Sequence, residues 1–300
     1  MKKKLLSVFM VAAFGASMLA GCGSSATSET ATSSTEGATS DAAETDADKT
    51  TITVFAAASL NTVLDDLIEK YNETNPDIEI LTNYDSSGTL MEQIEEGASC
   101  DVFFSAAQKQ MDQLQDEDNL VVDGTRHNVV NNQLCVVTYP GSETEVTGLA
   151  DLSKASSIAL CDGTVPVGKY TRVALMNSGV LDEVEDASLY TTQEVSDALG
   201  GVEINETANV SATASAVSEG SNEVGMVYKS DTYGLEDKLE ILEVVSYDLS
   251  GDIIYPIAQI ANDEASDAQS EAAVDFINYI KSDEATQVFE DYYFDTDVED

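Results

Sequence analysis

A short apolar stretch followed by a helix with one apolar face recurs along this chain, and that recurrence limits the fold more than any other feature. Thr51-Ile52-Thr53-Val54-Phe55-Ala56 has the length and branched content of a buried strand. Leu60, Val63, Leu64, Leu67, Ile68 and Tyr71 then fall at i, i+3, i+4, i+7, i+8 and i+11, a single helical face. Asn75-Pro76 ends that helix, because the residue before a proline is pushed out of the helical region. The pattern predicts strands over 77–84, 101–104, 133–139, 157–161, 223–228 and 253–260. It predicts helices over 90–96 and 170–176, and a long closing helical segment over 267–292 with Val274, Ile277 and Ile280 on one face. Strand–helix alternation argues for parallel α/β construction, and no internal repeat is present. The expected layout is a pair of α/β lobes with a ligand crevice at the carboxyl ends of the strands.

The N-terminal region has a different character. Lys2, Lys3 and Lys4 precede the apolar run Leu5–Phe14, and Leu19-Ala20-Gly21-Cys22 follows. The run is shorter than the ~20 residues a membrane span needs, so it reads as a signal peptide over 1–21. Its small-residue end resembles the bacterial lipoprotein lipobox, in which the cysteine, here Cys22, carries the lipid. Residues 23–50 contain no Leu, Ile, Val or aromatic residue, so they cannot bury apolar surface and are expected to form a flexible tether over 22–50. The expectation is an anchored domain on the extracytoplasmic face of the cell membrane, folded from about Thr51.

Charge excludes several functions. The chain holds 13 Lys+Arg against 56 Asp+Glu. Removing Lys2, Lys3 and Lys4 with the leader takes 13 cations to 10, a formal charge of −46. Such a surface repels phosphate backbones and anionic lipid headgroups, which excludes nucleic acid as a partner and leaves the lipid on Cys22 as the membrane contact. A single histidine, His127, rules out a His-rich metal centre. Cys100, Cys135 and Cys161 remain after the leader, an odd number; buried thiols are expected, with a Cys135–Cys161 disulfide as the alternative if their strands are neighbours.

Four places share one grammar, a small-residue loop entering a helix: Ala57-Ala58-Ser59-Leu60, Ser86-Ser87-Gly88-Thr89, Val165-Pro166-Val167-Gly168 and Asn209-Val210-Ser211. Ser59, Ser87 and Asn209 suit N-caps, and Pro166 suits a first helical position. Helix starts leave N–H groups unpaired and carry about +0.5 charge, so they attract anions. Four of them, with no basic cluster, suggest a small dehydrated anion held by neutral donors.

Residues 51 to about 295 resemble the molybdate-binding proteins of ABC importers, of the type II periplasmic-binding-protein fold. The resemblance rests on Ile52–Leu60, Ser86–Leu90, Asp101–Ala106, Val165–Tyr170 and Val224–Asp231, in that order. It implies a tetrahedral oxyanion gripped by two serines, two further backbone N–H groups and a tyrosine hydroxyl. Ser59 and Ser87 match the serines and Tyr228 the tyrosine. Val167 stands where many members have alanine, which matters little if only its N–H acts. For the last backbone donor two segments compete, Glu194-Val195-Ser196 and Asn209-Val210-Ser211. Val210 is chosen for its distance to Tyr228, with extra sequence over 191–208 upstream. The resemblance implies no cofactor, molybdate and tungstate as ligands, an ABC permease as partner and a monomeric, non-enzymatic protein. Sulfate, which differs mainly in size, is the alternative ligand, and anion sensing through a partner receptor the alternative role.

Three other readings fare worse. Gly163–Lys169 matches GxxxxGK, but Tyr170 stands where a P-loop needs Ser or Thr for Mg²⁺. A serine hydrolase would need His127, in a polar stretch, as base for Ser59 or Ser87. The acidic runs 116–118 and 295–300 lack EF-hand spacing. The expected lobes are 51–129 plus 255–300 and 130–254, with hinge crossings near 128–132 and 253–256.

Overall fold

The computed structural model describes residues 49–299. The leader, Cys22 and nearly all of the tether lie outside the described residues. The first lobe opens with strand β1 (Thr50–Ala57), helix α1 (Asn61–Thr74), β2 (Ile78–Asp85), α2 (Ser87–Glu95), β3 (Val102–Phe104), α3 (Gln108–Asp112) and β4 (His127–Asn132). The second lobe holds β5 (Leu134–Thr138), β6 (Ser157–Cys161), α4 (Pro166–Asn177), α5 (Thr192–Ala198), β7 (Glu203–Thr207), α6 (Val210–Ser218), β8 (Val224–Tyr228), β9 (Glu240–Val244) and α7 (Tyr247–Ser250). The chain then returns to the first lobe through β10 (Ile253–Gln259), α8 (Asp267–Ile280) and α9 (Asp283–Asp291). Each lobe has one five-stranded sheet, in the orders β2-β1-β3-β10-β4 and β7-β6-β8-β5-β9.

The expected fold class, two α/β lobes joined by two crossings, is the one observed. The sheets are not wholly parallel, however: β10 runs against β3 and β4, and β5 against β8 and β9. Both exceptions include a strand beside a lobe crossing. The stretches 128–132 and 253–256 are themselves the paired strands β4 and β10, with Ile253 opposite Asn132.

β7 and β9 escaped the apolar pattern for a common reason. Both are edge strands whose residues are mostly exposed or half-buried, so Glu-Ile-Asn-Glu-Thr and Glu-Ile-Leu-Glu-Val carry charges where a central strand would not. The closing helical segment is two helices, broken at Ser282, whose hydroxyl accepts the Ala285 N–H (3.2 Å) and caps α9. Its buried face is Ala273, Phe276, Ile277 and Ile280; Val274, expected there, is 37% exposed. Cys100, Cys135 and Cys161 are free, buried thiols. The alternative disulfide is excluded because β8 lies between β5 and β6, so Cys135 and Cys161 sit on strands that are not adjacent.

Candidate functional site

All four anticipated loops reach the crevice from the carboxyl ends of strands. Ser59 lies in a single 3-10 turn, Ala58–Leu60, between β1 and α1. Ser87 opens α2, Val167 is the second residue of α4, Val210 is the first of α6, and Tyr228 ends β8. The five residues line one small cavity, together with Asp85. All five are buried. No lysine, arginine or histidine is among the described residues lining it. Asp85, the one charged group there, is occupied: its Oδ1 accepts from Ser86 N–H (2.7 Å) and from Asn209 Nδ2 across the cleft (3.2 Å).

Two of the expected capping assignments are corrected. Ser86, not Ser87, caps α2 by accepting the Thr89 N–H (3.2 Å). Ser59 caps nothing, since neither the 3-10 turn nor α1 has a side-chain cap. A capping serine spends its oxygen on the first turn of its own helix; one residue later, the hydroxyl is directed elsewhere. Ser87 Oγ accepts the Ala106 N–H (2.9 Å), so its own proton is available to an acceptor in the cavity. Ser59 Oγ is 2.8 Å from Tyr255 Oη. Asn209 does cap α6, its Oδ1 accepting the Ala212 N–H (3.0 Å), and Pro166 does occupy the first position of α4.

The second lobe brings main-chain donors. Val167 and Val210 are first-turn residues, whose N–H groups have no partner within their helices. The rival Val195 is fully buried in α5 and donates its N–H to Thr191 O (3.1 Å), away from the cavity. α4 can start so close to the end of β6 only because residue 168 is glycine: a Cβ there would lie 2.0 Å from Asp162 O and 2.5 Å from Cys161 O. Tyr228 Oη is buried with no hydrogen-bond partner among the described residues. Burial holds its phenol protonated well above the usual range. A buried phenol left unpaired is costly, and an acceptor placed in the cavity would offset that cost.

The lobes touch around this cavity. Ser211 Oγ donates to Ala58 O (3.3 Å), and Lys109 Nζ is 3.5 Å from Asp186 Oδ2. Tyr233 stacks on Tyr292 with ring centroids 4.0 Å apart. Beside the cavity a wider pocket carries Ser59, Ser211, Asp231 and Tyr233.

His127 opens β4 opposite Ile257, not a loop, and does not line the cavity. His127 is therefore not the base a hydrolase reading would require for either serine. Two residues were not anticipated, Tyr255 and Asn132. Tyr255 lies in the run Ile253-Ile254-Tyr255-Pro256 and reads as ordinary core; Asn132 reads as a loop residue. Nothing local marks either as part of the site.

The sequence profile of the family described as "Bacterial extracellular solute-binding protein" matches residues 52–295. A Bacillus subtilis protein named "Putative ABC transporter substrate-binding lipoprotein YvgL" is 30% identical over 292 residues, 97% of this chain and 98% of its own. The molybdate-binding protein ModA of Haemophilus influenzae is 30% identical over 249 residues, covering 81% of this chain and 89% of its own. The solved "substrate binding domain of putative molybdenum ABC transporter from Clostridium difficile" is 30% identical, with a TM-score of 0.59, covering 83% of this chain and 99% of that one. These relatives bind and transport solutes and are not enzymes. With the match spanning both lobes and the cavity between them, this chain belongs to the bacterial extracellular solute-binding protein family.

Proposed function

We propose that this protein captures molybdate, and tungstate as its near-isostere, in the cavity between the lobes and hands it to an ABC permease. The donors in this reading are the hydroxyls of Ser59, Ser87 and Tyr228 and the N–H groups of Val167 and Val210. The single observation that carries it is the unpartnered, buried hydroxyl of Tyr228, a residue that lines the same cavity as the four other proposed donor residues. A doubly negative tetrahedral oxyanion offers acceptors in several directions, and a hydrogen bond to a charged partner contributes ~1.5–3 kcal/mol net. No counter-charge is needed when oriented N–H and O–H dipoles converge. The names of the molybdate-binding relatives support the choice of anion.

Because the donors come from both lobes, the anion is the bridge between them, and closure is a hinge motion about the crossings beside β4 and β10. The chain works as a monomer, tethered outside the cytoplasm by lipid on Cys22, with no cofactor. Competitive calorimetric titration with molybdate, tungstate, sulfate and phosphate tests the reading. Saturable 1:1 binding of molybdate and tungstate, with sulfate and phosphate far weaker, is expected. Sulfate binding as tightly as molybdate, or no binding of any of the four, contradicts it.

A further inference from the structure

We propose that Tyr255 is a positioning residue that fixes the Ser59 hydroxyl as a donor toward the anion, with its own direction set by Asn132. The inference rests on the oxyanion reading of the cavity. Ser87 illustrates the requirement: a backbone N–H, which can only donate, occupies its oxygen from behind and leaves its proton facing the cavity. Ser59 has no backbone donor behind it. It has the Tyr255 phenol at 2.8 Å, which can either give or take a proton.

Asn132 resolves that ambiguity. Its Oδ1 accepts the Gln133 N–H (2.9 Å), which fixes the amide so that Nδ2 faces inward. Nδ2 then donates to Tyr255 Oη (3.1 Å) and to Ser230 Oγ (2.8 Å). With its oxygen receiving that bond, the phenol directs its own proton at Ser59 Oγ. The Ser59 proton is released to the cavity. Asn132, Tyr255 and Ser59 are all buried, which strengthens these bonds relative to exposed ones. Burial also keeps the Tyr255 phenol protonated well above its usual range. Its ring lies edge-to-face with Tyr228 (6.0 Å) and with Phe294 (5.7 Å), which holds it in place.

The consequence is a site polarised to donate. An oxyanion with a proton of its own, such as hydrogen phosphate, needs an acceptor, and Ser59 locked as a donor does not turn to provide one. The arrangement also ties the ligand's first-lobe contact to Asn132, the last residue before the chain crosses to the second lobe.

A double-mutant cycle on the full chain tests this, with molybdate and phosphate as titrants at neutral pH. Tyr255→Phe keeps the ring and its packing and removes only the hydroxyl. It should lower molybdate affinity about 3–10-fold, the effect of one lost neutral hydrogen bond, and narrow the molybdate-over-phosphate ratio. In a Ser59→Ala background the same change should cost less than about twofold, because its target is gone. An equal loss in both backgrounds would mean that Tyr255 acts on the fold and not through Ser59, and would overturn the inference. So would a Ser59→Ala loss with no Tyr255→Phe loss. If Ser59→Ala leaves molybdate affinity unchanged, the oxyanion reading itself fails and this inference with it.

Discussion

The two lobes contribute to the cavity by different chemistry. The first lobe supplies side-chain hydroxyls, Ser59 and Ser87, each backed by a second group, Tyr255 Oη at 2.8 Å and Ala106 N–H at 2.9 Å. The second lobe supplies two backbone N–H groups at the starts of α4 and α6, plus one phenol with nothing behind it. A rotatable hydroxyl must be told which way to point, so it needs a supporting neighbour. A first-turn N–H is aimed by the helix alone and needs only the right backbone, so valine should serve there as well as alanine. The lesson is that residue identity matters on one side of the cleft and residue position on the other.

The comparison can be broken most severely at Ser87. Ser87→Ala should weaken molybdate binding by ~1.5–3 kcal/mol and also lower stability by ~1–3 kcal/mol, because the buried Ala106 N–H loses its acceptor. Calorimetry and thermal unfolding of the same variant separate the two effects. On the other lobe, Val210→Pro should cost ~1.5–3 kcal/mol of affinity with little change in stability. Proline is tolerated at a first helical position, and Asn209 already has the extended backbone (φ −156°, ψ 171°) that a following proline requires. Val210→Ala, which keeps the N–H, should be within about 0.5 kcal/mol of the parent.

Tyr228→Phe sharpens the contrast by reversing one sign. Its hydroxyl has no partner in the chain, so deleting it should leave the unliganded melting temperature unchanged or raised. Molybdate affinity should nevertheless fall by ~1.5–3 kcal/mol if the phenol donates to the anion.

A smaller effect on affinity, with a separate effect on folding, is expected with pH. Asp231 accepts the Tyr228 N–H (2.9 Å), and burial pushes its carboxyl from 3.8 up to about 7. Above that pH a carboxylate stands beside Ser59 in the neighbouring pocket, so dianion affinity should drop by about 1 kcal/mol from about pH 6 to about pH 8. For folding, a raised pKa means the folded chain holds a proton that the unfolded chain has lost, so stability falls as pH rises from about 4 to about 7. Asp231→Asn should flatten both profiles.

Legibility in the sequence follows the same division. Ser59, Ser87 and Tyr228 could be read because their side chains carry the proposed chemistry within recognisable local segments. Val167 and Val210 are placed by the family resemblance, which the helix starts around Pro166 and Asn209 only support, since a valine announces nothing about its N–H. The central strands were readable from apolar runs. β4, β7 and β9 were not, because these edge strands carry polar residues in place of an apolar run. Tyr255 and Asn132 were beyond reach: Tyr255 is 196 residues from the serine it touches, and only the return of the chain through β10 brings them together.

The central claim is that neutral donors from both lobes enclose one dianion. Anomalous diffraction at the molybdenum edge, from crystals grown with molybdate, tests it directly. The account predicts a single strong peak within hydrogen-bonded reach of Ser59, Ser87, Tyr228 and the Val167 and Val210 N–H groups, with no basic side chain touching it. An empty cavity with the metal elsewhere, or a lysine or arginine closing on the anion, would contradict the account.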